Sequence, residues 1–267
     1  MRSPTHQRSA VRWLSRVLSA TVTLTGALLA QDAPLLWQQV QAAIQSDQND
    51  RIHDLLSEGA GPQQTAERYE SVARSLYQTA RDLPAVVLVA RSGIAFNLSV
   101  AGEAAGRGDV ATARLFQGSA KALAYNLASY TWPGWDEPGI GIRTADLDAG
   151  FEAARLNLRL AEQLGPGPEP MANGWFILAG HALAAGDYPA AREYFAEFER
   201  IAENADLREL DLLADGYRII VDAAAGTGNP GTYMLEPVRE QFREMLDSDA
   251  DFWIDQLDTA WAIFVTG

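Results

Sequence analysis

The sequence predicts an all-α chain of about ten to eleven helices, paired into antiparallel helical hairpins. Three observations predict it. Residues 173–200, NGWFILAGHALAAGDYPAAREYFAEFER, read as two short amphipathic helices joined by a tight Gly-Asp turn. Helix-stopping clusters punctuate the chain at Gly59-Ala60-Gly61-Pro62, Gly165-Pro166-Gly167-Pro168 and Gly226-Thr227-Gly228-Asn229-Pro230-Gly231. Strand signals are lacking: the valine-rich run from Val86 to Val89 follows Asp82-Leu83-Pro84, which reads as a helix start.

Taken in order, helices are expected over 35–46, 49–58, 63–81, 84–106, 109–130 and 143–164, then over 171–185, 188–204, 207–225, 234–247 and 250–265. The last two carry Phe242, Phe252, Trp253, Leu257, Trp261 and Phe264, an apolar set that would seal the end of a helical stack. Residues 131–142, TWPGWDEPGIGI, break the pattern. Two prolines and three glycines forbid a helix there, and the segment is long for a connection between packed helices.

The 173–200 hairpin is the most specific signal. Trp175, Leu178, Ala179 and Ala182 form an i, i+3, i+4, i+7 stripe on its first helix. Gly186 ends that helix, since a residue without Cβ enters the left-handed region cheaply. Asp187 is placed to cap the second helix, whose buried face is Ala191, Phe195 and Phe198. This order of tryptophan, leucine, small residue, alanine and phenylalanine resembles the tetratricopeptide-repeat family. It departs from the family pattern at Phe198, where alanine is usual, and at Glu203, where proline is usual. An echo lies at 104–116, where AAGRGDVATARLF aligns with ALAAGDYPAAREY. An apolar residue followed three positions later by Ala-Arg recurs at Val110, Phe151 and Tyr188, giving a repeat of about 40 residues. The resemblance implies a right-handed α-solenoid whose concave face is lined by first-helix positions, here Asn173, Phe176, Gly180 and Leu183.

Residues 1–30 are a different kind of sequence. Arg2, Arg8, Arg12 and Arg16 precede an apolar run from Val17 to Ala30, with no acidic residue before Asp32. A basic start, a short apolar stretch and a small-residue end are the parts of a secretory signal peptide. The expected organisation is a signal peptide over 1–30 and one helical-repeat domain over 31–267, exported and periplasmic, with no stable membrane insertion. The chain has no cysteine, so disulfides and a lipid-modified cysteine are both excluded. Its 21 basic and 35 acidic residues give a net charge of −14. Without the four leader arginines the balance is 17 against 35, or −18. A chain this acidic repels phosphate backbones and favours cationic ligands or basic surfaces, so nucleic acid is not an expected partner.

Candidate chemistry is sparse. In the 131–142 loop, Trp132 and Trp135 bring large apolar faces, with Asp136 and Glu137 beside them. Aromatic faces next to carboxylates suit a cationic or sugar-like ligand. Equally, both tryptophans could be buried to hold an irregular loop in place, and Tyr130 would share either fate. Asn173, Phe176 and His181 complete the candidate ligand-binding set. His53 and His181 are far apart, and no His or Cys pair has metal-ligand spacing. Asp148 and Glu152 lie one helical turn apart, and Asp247, Asp249 and Asp251 alternate, but the latter lack the glycine and glutamate of a calcium loop. No phosphate loop and no G-x-S-x-G turn occurs. The expected function is non-catalytic, without cofactor or metal: binding of a peptide, a partner protein or a small ligand. The alternatives are an all-helical periplasmic enzyme acting on glycans and a transporter-associated ligand-binding component.

Overall fold

Gly and Pro punctuation dominates the local sequence, and the chain obeys it. The computed structural model describes residues 33–227, 234–245 and 249–267. The expected signal peptide, residues 228–231 of the third break, and Asp247 lie outside the described residues. Among the described residues there are eleven α-helices and no strands. They are α1 (Ala33–Gln45), α2 (Arg51–Ser57), α3 (Pro62–Ser75), α4 (Leu83–Gly106), α5 (Val110–Tyr130), α6 (Thr144–Leu164), α7 (Pro168–Ala184), α8 (Tyr188–Asn204), α9 (Arg208–Ala224), α10 (Glu236–Glu244) and α11 (Ala250–Phe264). Consecutive helices pack on one another within two compact units. Of the described residues, one unit comprises 33–131 and Gly139–Leu164, and the other Trp132–Pro138 and those between 165 and 267.

In the first unit α4 packs against α3, α5 and α6. Gly93 makes the approach possible: a Cβ there would lie 2.5 Å from Leu123 Cδ2 and 2.8 Å from the Tyr69 ring. Polar ties hold α6 to α5. Asn157 donates to the Lys121 carbonyl at 2.9 Å, and Arg114 donates to the Leu164 carbonyl at 2.7 Å, satisfying an acceptor at the end of α6. By length and composition α4 is apolar enough to cross a bilayer, a property it shares with core helices of its length. The expected helix over 63–81 is interrupted: α3 widens into a π turn, Leu76–Ala80, ended by Arg81 at φ 55°. Asp82 then caps α4 by accepting from the Ala85 amide, and takes a second hydrogen bond from Gln41 at 2.8 Å. Pro84 has no N–H to give, so the chain must leave the α3 ladder before it.

In the second unit α7, α8 and α9 are each 17 residues long. Each ends on a left-handed residue, Gly186 (φ 72°), Asp206 (φ 54°) and Gly226 (φ 64°), so the stops fall 20 residues apart. The closing bonds are the same three times. The Gly186, Asp206 and Gly226 amides donate three residues back, to Leu183, Glu203 and Ala223, and the next amides donate five residues back, to Ala182, Ala202 and Asp222. That double bond pattern is the Schellman cap, which satisfies carbonyls a helix end leaves free. It also ends α4 at Gly108 and α1 at Asp47. At the Gly-Asp turns the aspartate then caps the next helix, Asp187 accepting from the Ala190 amide and Asp109 from the Thr112 amide. Each such cap contributes about 1 kcal/mol. Phe195, Phe198 and Ala191 are buried on α8, as the stripe predicts. Phe242, Phe252, Trp253 and Leu257 are buried along α10 and α11, which pack on each other and on α9.

Candidate functional site

Residues Trp132–Pro138 belong to the second unit, although the chain on either side of them belongs to the first. Their conformation follows from local chemistry. Pro133 excludes helix at the residue before it, and Trp132 is extended at φ −85°, ψ 122°. Pro133–Trp135 then make one 3-10 turn, closed by the Asp136 amide donating to the Pro133 carbonyl at 3.0 Å. Asp136 turns the chain out in the left-handed region at φ 46°. Gly134 is required: a Cβ there would sit 2.3 Å from the six-membered ring of Trp132.

Trp132 is only 1% exposed and Trp135 6%. The two indoles meet edge to face at 4.8 Å. Around Trp132 stand Phe176 at 5.6 Å, Tyr217 at 6.1 Å and Phe264 at 6.3 Å, from α7, α9 and α11. Phe195 stacks on Tyr217 at 4.9 Å. Gly180 of α7 lies flat against the indole; a Cβ on it would be 2.8 Å from Trp132 Nε1. A polar side chain enters this apolar seat. Gln256 Nε2 donates to the Tyr217 hydroxyl at 2.9 Å and to the Gly134 carbonyl at 3.3 Å. Burial pushes the Tyr217 hydroxyl far above the ordinary phenol range, partly offset by the Gln256 bond. The Trp132 indole N–H is buried without an acceptor. Leaving such a donor unmet costs about 1–3 kcal/mol, which the packing of the ring must exceed.

The structure therefore brings Trp132, Trp135 and Phe176 together and covers their faces with the chain's own side chains. Asn173 and His181 are buried on the same helix as Phe176, Asp136 is exposed, and Glu137 is half-buried. Tyr130 lies in the first unit, buried and stacked on Tyr77 at 4.2 Å. Asp148 and Glu152 are both exposed, with Arg91 3.5 Å from Glu152. His53 is exposed, its Nδ1 3.2 Å from the Tyr69 hydroxyl oxygen. Tyr217 and Gln256 were not anticipated from the sequence. The legible trace of Gln256 is its position one turn after Trp253, a polar residue set among Trp253, Leu257 and Ala260.

A group of carboxylates, Glu199 and Glu203 on α8 with Asp211 on α9, places its oxygens within 4.8 Å of one another. Arg218 donates to Glu199 at 2.6 Å and offsets part of the charge. Burial, then the like charges of Asp215, Glu203 and Glu199, raise the Asp211 carboxyl above its ordinary value. Comparison of the chain with protein-family models, curated proteins and solved structures finds no match in any of the three.

Proposed function

We propose that the chain is an exported, non-catalytic binding or scaffolding protein, built as a right-handed α-solenoid of antiparallel hairpins with a tetratricopeptide-like groove. One observation carries this reading: α7, α8 and α9 repeat a 17-residue helix and the same closing turn every 20 residues. Two such helices make a 40-residue hairpin, the period the Ala-Arg spacing suggests, and stacked hairpins of that kind offer extended recognition surfaces. The charge favours a partner with basic character. Residues 165–267 carry nineteen acidic and six basic side chains, whereas residues 33–164 carry fifteen and eleven. The glycan-cleaving alternative has less support, because it needs an open aromatic platform beside two spaced carboxylates, and both tryptophans are covered.

Native mass spectrometry of the mature protein, purified from its own periplasm, tests the proposal. A co-purifying protein, peptide or small molecule, held by a chain with intact repeat helices, is the expected result. Recovery of a bare monomer that turns over a glycan substrate would reject it.

A further inference from the structure

We infer that Trp132–Pro138 is an in-cis peptide ligand, seated in a groove of the second unit that recognises short turn-forming segments carrying two aromatic side chains on either side of Pro-Gly. The inference rests on the groove proposed above and names what that groove takes.

Four observations on the segment carry it. First, the segment is packed with the second unit while its flanks, up to Thr131 and from Gly139, are packed with the first. It enters the second unit as a short insertion and contributes no α-helix there. Second, its contacts include those that hold a bound peptide: two aromatic anchors, Trp132 and Trp135, and a side-chain amide, Gln256, reading a main-chain carbonyl at Gly134. Its backbone is turned by the bond from the Asp136 amide to the Pro133 carbonyl. Third, Trp132 rests on Phe176 and Gly180, two of the first-helix positions expected to face a groove. The missing Cβ of Gly180 is what makes the seat deep enough for an indole. Fourth, the fit is incomplete, since the Trp132 N–H finds no acceptor. Phenylalanine in the same seat would carry no such cost.

The test uses the full-length mature chain with residues 132–138 replaced by a seven-residue Gly-Ser linker. The probe is the synthetic peptide of residues 131–138, added in trans and followed by calorimetry and thermal shift. The replaced chain is expected to bind one peptide and to melt at higher temperature with it, while the wild-type chain binds more weakly, since its own segment must first leave the seat. A control peptide with alanine at both tryptophan positions should bind at least about tenfold more weakly, the equivalent of 1.4 kcal/mol. If the replaced chain is unfolded, peptide at millimolar concentration, comparable to the effective concentration of a short tether, must restore its helical signal. Failure of the peptide both to bind a folded chain and to restore an unfolded one overturns the inference, as does equal binding to wild type.

A second variant approaches the seat from the other side. Gly180→Ala places a methyl 2.8 Å from Trp132 Nε1 and 2.9 Å from Cε2, in a ring that cannot flex. It should unseat the segment, seen as new protease cleavage within 131–142 and a red-shifted tryptophan emission, with helical content retained. Cooperative loss of helix in this variant would show that the segment is integral core. A partner found by native mass spectrometry, together with no trans binding of the peptide, would retain the proposed function and discard this inference alone.

Discussion

Replacing Trp132 by alanine and by phenylalanine should give sharply different results, because the indole contributes through packing and costs through its N–H. Alanine removes the whole ring from a site that is 1% exposed and bordered by Trp135, Phe176, Tyr217 and Phe264. Deletions of buried aromatics of this kind cost about 3–5 kcal/mol, as transfer and cavity terms add. Phenylalanine keeps most of that contact. It gives up roughly 40 Å² of apolar burial, about 1 kcal/mol, and leaves a small cavity costing about another 1 kcal/mol. Against this it removes a buried donor with no acceptor, a relief of about 1–3 kcal/mol. Trp132→Phe should therefore fall within about 1 kcal/mol of wild type, and Trp132→Ala at least about 2 kcal/mol below it. Urea denaturation followed by far-ultraviolet circular dichroism measures both, provided the dependence on denaturant is unchanged between variants. If phenylalanine costs as much as alanine, the indole N–H is satisfied in solution and the strain assigned to this seat is wrong.

Three further outcomes follow from the geometry. Gly134→Ala puts a methyl 2.3 Å from the Trp132 ring and should lower stability by about 1–3 kcal/mol in the same titration, the range of an overpacked core. Gly186→Ala meets no atom within 4 Å but must hold φ at 72°, so it should cost about 1–2 kcal/mol, while Gly186→Asn should recover most of that loss. Asp211 has a carboxyl pKa raised by folding, so its protonated form favours the folded state. That contribution is complete below the unfolded pKa and is lost as pH rises through the folded value. Asp211→Asn should therefore raise the melting temperature at neutral pH and leave it unchanged in acid, and a lower neutral melting temperature would contradict the repulsion among these carboxylates.

The helices were legible because their limits are set locally. The Gly186-Asp187 stop needs only a residue free to take positive φ and a side-chain oxygen three residues before an orphan amide, and both are visible in the letters. α7 begins three residues earlier than the Pro-rich break suggests, at Pro168, since a proline in the first turn gives up an N–H that has no helical partner anyway. The π turn at 76–80 was not legible. A helix period continues through it in the sequence, and what distinguishes it lies elsewhere in the fold, where Tyr77 stacks on Tyr130 from α5. Of the candidate site, the loop and its two tryptophans stood out by composition. Tyr217 and Gln256 did not, being respectively 85 and 124 residues from Trp132 in the chain.

The sequence by itself determined the helical class, the repeated turns and the place where the repeat fails, because hydrophobic period, caps and φ restrictions act over a few residues. Only the tertiary structure decided which way Trp132 and Trp135 face. The loop that carries them has no period to orient a side chain. Their direction is set by a seat that Phe176, Gly180, Tyr217 and Gln256 assemble from three separate helices. Burial of two large rings there outweighs the cost of one unmet indole N–H.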